Sequence, residues 1–317
     1  MLSAIKLLKK SKNIAIFSHK GPDPDTVGSS LALFKGLKKM GKNVSLFCDD
    51  EMTGGNYGFL AGFEEYNKSD LSGFDLYVSV DVAAGELLGK FEEQFSKFDV
   101  SLKIDHHEAG TNFAKHNLVK QYAACAILIF ELLKHLKVKI DKDISTCLYL
   151  GICGDTGIFK NNNLDSKTFA VCSELLELGA EYKKVYSDFF EKRTLSNLYL
   201  TSNAIMSAYV NDELEFSVMT VSSDDYDRFG ANVNEHIGNL PHSFLNCGHK
   251  ISAILKQKQD GIHVSFRSKA EYDVSKIAAK FGGGGHKNAA ACSIIDGIGV
   301  AEKQVIEAIK NYLKETN

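Results

Sequence analysis

No apolar run in this chain of 317 residues is long enough to cross a membrane. The most apolar stretch, residues 123–130, is stopped by Glu131, far short of the roughly 20 residues a spanning helix requires. The first 17 residues interleave Lys6, Lys9, Lys10 and Lys12 with their apolar residues, so the uninterrupted core of a signal peptide is missing. Seven cysteines are scattered without one Cys-x-x-Cys pair, which argues against a disulfide framework or a thiolate zinc site. Proline is scarce, with three residues, and 44% of the chain is apolar, so no long stretch suits disorder. A basic excess is also lacking: 37 Lys and Arg face 40 Asp and Glu, for a net charge of −3. Binding to long duplex nucleic acid would need a basic footprint, whereas a small anionic substrate needs only a few local cations. A soluble, cytoplasmic protein with no membrane partner is expected.

The length exceeds that of one compact domain. Strand-like runs at 13–17, 43–47, 76–80 and 101–104 alternate with helical patterns, which predicts a parallel sheet with helices on both faces. Helices are expected over 26–40, 123–136, 144–152 and 166–178, with Gly41 and Gly179 as caps. The pattern stays helical to about residue 207, and a strand-like run at 213–221 opens a new block. The α/β chain therefore reads as a parallel-sheet domain over 1–185, a helical linker over 186–209 and a smaller mixed α/β domain over 210–317, with the active site in the cleft between them. In the smaller domain, runs at 250–258 and 262–267 flank Asp260-Gly261, a pair suited to a tight hairpin, and an amphipathic helix closes the chain over 300–313.

Four segments of the first domain carry chemistry. Ser18-His19-Lys20-Gly21-Pro22-Asp23-Pro24-Asp25 lies between a strand and a helix, at the carboxyl edge where open α/β sheets place ligands. Asp23 or Asp25 alone would be explained as a helix cap. Asp81 follows the strand 76–80, and Asp105-His106-His107 follows 101–104, so independent strands converge on one edge. The fourth segment, Gly151-Ile152-Cys153-Gly154-Asp155-Thr156-Gly157, sets an acid among glycines, where backbone can approach a ligand. Together Asp23, Asp25, Asp81 and Asp155 with His19 and His106 make four carboxylates and two imidazoles, a set whose charge two divalent cations balance. Hard oxygens mixed with imidazole nitrogen suit Mn²⁺, with Co²⁺ or Mg²⁺ also fitting. His107 is left to contact a phosphate or pass a proton.

The second domain contributes Gly282-Gly283-Gly284-Gly285-His286-Lys287, where backbone N–H groups unobstructed by Cβ atoms, joined by His286, can line an anion site. Arg267, one of three arginines, has the fork that matches a phosphate.

In this order the segments His19-x-x-Pro22-Asp23-x-Asp25-x-x-Gly28-Ser29, Asp81, Asp105-His106-His107, Gly154-Asp155-Thr156-Gly157 and Gly283-Gly284-Gly285-His286-x-x-Ala289-Ala290 resemble the DHH/DHHA1 phosphoesterases. Within that family they are most similar to the compact oligoribonucleases that also dephosphorylate 3'-phosphoadenosine 5'-phosphate. The resemblance implies one ion held by His19 and Asp23, another by Asp25 and His106, and Asp81 and Asp155 shared between them. It also implies support from Asp105, His107 near the phosphate, and Arg267 with Gly283, Gly284, Gly285 and His286 on the far end of a short oligoribonucleotide. Ala291 departs from the family, where glycine is more usual, and raises the expectation of a different turn or an altered substrate approach there. A cyclic- or linear-dinucleotide phosphodiesterase would use the same centre, and a noncatalytic nucleotide-binding regulator would have lost it. A homodimer through the first domain stays open.

Overall fold

Strand residues alternate between two cores in the first half of the chain. Ile14 and Ile16 join one buried cluster with Leu46, Val78 and Ile104, while Ala15 and Phe17 join another with Phe47 and Tyr77, the period-2 signature of a sheet covered on both faces. The structure, a computed structural model, describes residues 1–317 except 53, 54, 109, 162, 234–239 and 317. It divides into two units, Met1–Lys192 and Arg193–Asn317.

In the first unit, β1 (Asn13–Phe17), β2 (Asn43–Phe47), β3 (Leu76–Val80), β4 (Ser101–Asp105) and β5 (His116–Val119) form a parallel sheet of order β2-β1-β3-β4-β5. Strand β5 has no clear signal in the sequence because only Leu118 of its four residues is buried. The unit's helices are α1 (Leu2–Lys10), α2 (Pro24–Lys39), α3 (Glu92–Lys97), α4 (Cys125–His135), α5 (Lys142–Asp155), α6 (Ser166–Glu177) and the short α7 (Tyr182–Lys184), which runs into a π-helical turn, Val185–Glu191. Buried residues of α2, α4 and α5 share the cluster of Ile14 and Ile16, whereas Phe91 and Phe95 close over Phe17. The Phe17 ring lies 5.3 Å from that of Phe47 and 5.4 Å from that of Phe95. Its truncation to alanine would cost about 3 to 5 kcal/mol.

Helices α2 and α5 touch backbone to backbone. A Cβ on Gly28 would fall 2.3 Å from the carbonyl oxygen of Cys147, and one on Gly151 would fall 2.6 Å from Asp25 Oδ1. Gly151 and Gly154 thus serve helix packing. Asp155 is the last residue of α5 and not part of a glycine loop.

The second unit is a sheet of order β10-β11-β9-β8-β7-β6, built from β6 (Tyr209–Asn211), β7 (Phe216–Val221), β8 (Ile251–Lys258), β9 (Gly261–Ser268), β10 (Gly284–His286) and β11 (Ala289–Ile294). Only its β7–β8 pairing is parallel. One face buries Val218, Val264 and Phe266 with Val305 and Ile309 of α12 (Ile298–Thr316), beside α11 (Ser275–Ala279). On the other face, α8 (Leu195–Met206), α9 (Ser223–Phe229) and α10 (Leu240–Asn246) pack Leu200, Ala204, Tyr226 and Leu240 against Met219, Val221 and Ile254. The β8–β9 register pairs Lys258 with Gly261, so the turn falls on Gln259 and Asp260, and only Gly261 takes a positive φ, 132°. Ala291 lies inside β11, opposite Gly284, with no positive φ. The altered turn expected from the glycine-to-alanine departure is absent because the position is extended strand.

Candidate metal centre

The carboxyl ends of β1, β3 and β4 and the two ends of helices α2 and α5 bring the acids and histidines of the first unit together. His19 leaves β1 with Nδ1 2.8 Å from its neighbour's carbonyl, Lys20 O. With Nδ1–H donating there, Nε2 keeps its lone pair and lies 3.9 Å from Asp23 Oδ2. Asp23 divides its oxygens. Oδ1 accepts the Thr26 N–H at 2.9 Å as N-cap of α2, and Oδ2 faces His19. Cap and cluster are both true of this residue.

Asp25 is fully buried. Its Oδ1 accepts from Ser29 Oγ at 3.0 Å and from the Ala126 N–H at 2.9 Å, and its Oδ2 accepts the Cys125 N–H. It therefore satisfies the first turn of α4, whose own cap residue, Ala124, has no side-chain acceptor. Burial, reinforced by the charges of Asp81 and Asp155, holds the Asp25 carboxyl well above the usual carboxylate range.

Asp81 continues the ladder through its N–H to Ile104 O and then turns with a φ of 60°. Its Oδ2 accepts from Thr26 Oγ1 at 2.7 Å. Burial first, then Asp23 and Asp155, push it up to about 6 against the pull of His106 and Thr26. His106 sets Nδ1 2.9 Å from Tyr122 O, which turns Nε2 toward Asp155 Oδ2 at 3.0 Å, Asp81 Oδ1 at 3.4 Å and Asp25 Oδ2 at 3.9 Å. Burial opposes charge on this imidazole, but Asp155, Asp25 and Asp81 together raise it to about 10.

Asp105, fully buried, accepts from His107 Nδ1 through Oδ1 at 2.7 Å, and Lys103 Nζ lies 2.9 Å from Oδ2. Burial works against the anion, yet His107 and Lys103 bring it down to about 2. His107 is raised, chiefly by the hydrogen bond to Asp105, and its side chain is 44% exposed.

The donor set fits metal ions. Asp81 Oδ1 is buried without a hydrogen-bond partner, a costly state that a cation relieves. Three trios keep their donor atoms within 4.8 Å of one another: His19, Asp23 and Asp81; Asp25, His106 and Asp155; and Asp81, His106 and His107. The six expected ligands all fall in these trios, and the third adds His107 as a further donor. Sequence reasoning missed Thr26, Tyr122 and Lys103. Only Lys103 left a signal, as a charge between the apolar Leu102 and Ile104 of strand β4, two residues before Asp105.

In the second unit, the glycine run is the edge of a hairpin. Gly284, Gly285 and His286 pair with Ala291, Ala290 and Ala289, and Ala289 pairs with Arg267 on β9. Arg267, Ala289 and His286 thus occupy one cross-strand row and share a face. Arg267 is half-buried, with Nη1 donating to Phe266 O at 2.8 Å, and His286 is exposed. A Cβ on Gly283 would fall 2.2 Å from Ala291 O, so close strand approach demands that glycine.

Residues 13–152 match the DHH family, N-terminal domain, and residues 234–315 match the DHHA1 domain. The chain is 28% identical over 308 residues to the bifunctional oligoribonuclease and PAP phosphatase NrnA of Thermus thermophilus, covering 95% of this chain and 90% of that one. It is 26% identical to the cyclic-di-AMP phosphodiesterase GdpP of Bacillus subtilis, covering 98% of this chain but 49% of that protein. An exopolyphosphatase-related protein from Bacteroides fragilis has the same fold, with a TM-score of 0.89 at 21% identity, covering 100% of this chain and 98% of that one. Five motif segments in order, an acid and histidine cluster on adjacent strand ends and two matched domains lead to one conclusion: the chain belongs to the DHH/DHHA1 family of metal-dependent phosphoesterases.

Proposed function

We propose that this protein is a two-metal phosphoesterase that releases mononucleotides from very short oligoribonucleotides and removes the 3'-phosphate of 3'-phosphoadenosine 5'-phosphate. The observation that carries the proposal is the convergence of three carboxylates on one imidazole nitrogen: oxygens of Asp155, Asp81 and Asp25 lie 3.0, 3.4 and 3.9 Å from His106 Nε2. The substrates come from the name of the Thermus thermophilus relative, matched over nearly its whole length.

His19 and Asp23 would hold one ion and Asp25 and His106 the other, with Asp81 and Asp155 as ligands available to both. When bound, two divalent cations, Mn²⁺ by preference with Co²⁺ or Mg²⁺ in its place, neutralise charge developing on phosphoryl oxygens and lower the pKa of water. The carbonyls of Lys20 and Tyr122 fix the Nδ1–H tautomers of His19 and His106, so that each Nε2 lone pair faces inward. Asp105 holds His107 by Nδ1 and favours its charged form, so the exposed Nε2–H is available to donate to the oxygen that leaves phosphorus. Arg267 and His286, with the backbone of Gly283, Gly284 and Gly285, grip a phosphate at the far end of the substrate. In this reading residues 1–185 are the catalytic domain, 210–317 the substrate-binding domain and 186–209 the linker, whose helix α8 packs on the sheet of the second unit.

Product analysis with Mn²⁺ on a labelled RNA trimer, a much longer strand, 3'-phosphoadenosine 5'-phosphate, cyclic dinucleotides and pyrophosphate tests the proposal. Mononucleotides from the trimer, with the long strand spared, support it. Cleavage of cyclic dinucleotide alone would transfer the assignment to signal turnover, and inactivity on every substrate with every metal would leave a nucleotide-binding regulator.

A further inference from the structure

Lys103 is the most deeply buried charged side chain of the first unit that the mechanism above leaves unused. It sits in the middle of β4, 1% exposed. Its Nζ donates to Ala83 O and Thr111 O, both at 2.9 Å, and lies 2.9 Å from Asp105 Oδ2. An ammonium has three N–H donors, and here three oxygens surround it. Positions 103, 105 and 107 alternate along one face of the chain, and the contacts follow that row: Lys103 to Asp105 Oδ2, and Asp105 Oδ1 to His107 Nδ1. The two carbonyls belong to the loop that follows Asp81 and to the loop that follows His107, which are also joined by the Thr111 N–H to Ala83 O at 2.8 Å. One ammonium therefore ties together the two segments that carry Asp81, His106 and His107.

Core stability does not account for a lysine here. A buried ion pair is commonly no more stabilising than apolar residues of the same volume, and the other side chains of β4 ahead of Asp105 are Ser101, Leu102 and Ile104. What the lysine adds is direction. With Oδ2 in ion contact with Nζ at 2.9 Å, Asp105 presents Oδ1 to His107 Nδ1.

We propose that Lys103 is a positioning residue, which fixes the Asp105 carboxylate so that His107 keeps its proton on Nδ1 and turns Nε2 to the substrate. The inference rests on the phosphoesterase reading for its kinetic consequence but not for its structural one. The experiment has two arms. In metal-free protein, nitrogen-15 spectra of histidine-labelled samples at alkaline pH, assigned with His107→Gln, are expected to show one Nδ1–H tautomer for His107 and a mixture in Lys103→Met. An unchanged His107 signature in folded Lys103→Met would overturn the proposal. In Mn²⁺-loaded enzyme acting on the RNA trimer, Lys103→Met is expected to lower kcat by about ten- to a hundredfold with KM nearly constant. On an Asp105→Asn background it should lower kcat no further, because both changes break the same relay. Losses that multiply would show that Lys103 acts elsewhere.

If Lys103→Met fails to fold, Gly110→Ala replaces it in both arms. The added methyl would lie 2.9 Å from Lys103 Nζ and 2.7 Å from Ala83 O, displacing the ammonium without removing it. A wild-type protein that hydrolyses none of the substrates would defeat the functional reading, while the spectra would still decide the role of Lys103.

Discussion

Asp81→Asn is expected to stabilise the metal-free protein while ending its activity. The Asp81 carboxyl is 1% exposed, and its surroundings raise it from 3.8 to about 6. A carboxyl whose pKa is higher in the folded than in the unfolded chain destabilises the fold as pH rises: the penalty is absent below the unfolded value, grows up to the folded value and is complete above it. Two units at about 1.36 kcal/mol each set that penalty near 3 kcal/mol at neutral pH. Asparagine keeps an oxygen for Thr26 Oγ1, which lies 2.7 Å from Oδ2, and carries no charge to be repelled by Asp23 and Asp155. Loss of the attraction to charged His106 offsets part of the gain, leaving about 1 to 3 kcal/mol, or roughly 2 to 4 °C in Tm for each kcal/mol in a unit of this size. Thermal unfolding in EDTA at about pH 7.5 and again at about pH 4 measures it, and the difference should vanish at the lower pH, where wild-type Asp81 is already protonated. Added Mn²⁺ should reverse the order by stabilising wild type more than the variant. An Asp81→Asn protein less stable than wild type in EDTA at neutral pH would refute the account of the cluster as a set of mutually repelling groups.

Asp155→Ala should abolish turnover while leaving the protein folded, measured by trimer hydrolysis and circular dichroism; normal turnover would sink the two-metal assignment. Arg267→Ala should raise KM with little change in kcat, because it removes a grip remote from the reacting bond. Mn²⁺ loading near neutral pH should release protons, since His106, held to about 10 in the metal-free centre, must yield its Nε2 proton to bind. Calorimetry in buffers of different ionisation enthalpy reads that release, and an enthalpy independent of buffer would count against it. Gly28→Ala should destabilise the first unit by about 1 to 3 kcal/mol or prevent folding, because its Cβ would sit 2.3 Å from Cys147 O.

The segments bearing the centre were legible because each of His19, Asp23, Asp81, His106 and His107 sits within a few residues of a strand's carboxyl end, where a polar group breaks an apolar run. Asp155 was legible as an acid but not as the end of α5, since the pattern predicts a helix that stops at residue 152 and Gly154 does not read as helical until the proximity of α2 is known. Tyr122 could not be found from sequence, because it acts through a carbonyl that any residue would supply. Strand β5 was hidden by its exposure. The four glycines suggested a loop lining an anion site, whereas most of them build β10 and its approach to β11, a distinction that depends on strand pairing.

The carboxylates of the centre are held unequally by the backbone, and the inequality indicates which of them depends most on a cation. Asp23 and Asp25 sit at the N-terminus of α2, and Asp25 also receives the first N–H groups of α4. Helix N-termini favour negative charge, so both residues would have a place in the fold with no ion at all. Asp155 is at the opposite pole, the last residue of α5, where the dipole disfavours a carboxylate. Its carboxylate meets His106 Nε2 at 3.0 Å, the nitrogen the proposal gives to an ion. Once His106 loses its proton to a metal, that attraction is gone, and only direct coordination would hold the Asp155 carboxylate there. Among the acids placed at helix ends, Asp155 therefore has the least support from the metal-free fold, which is why its removal separates activity from folding more cleanly than removal of Asp23 or Asp25.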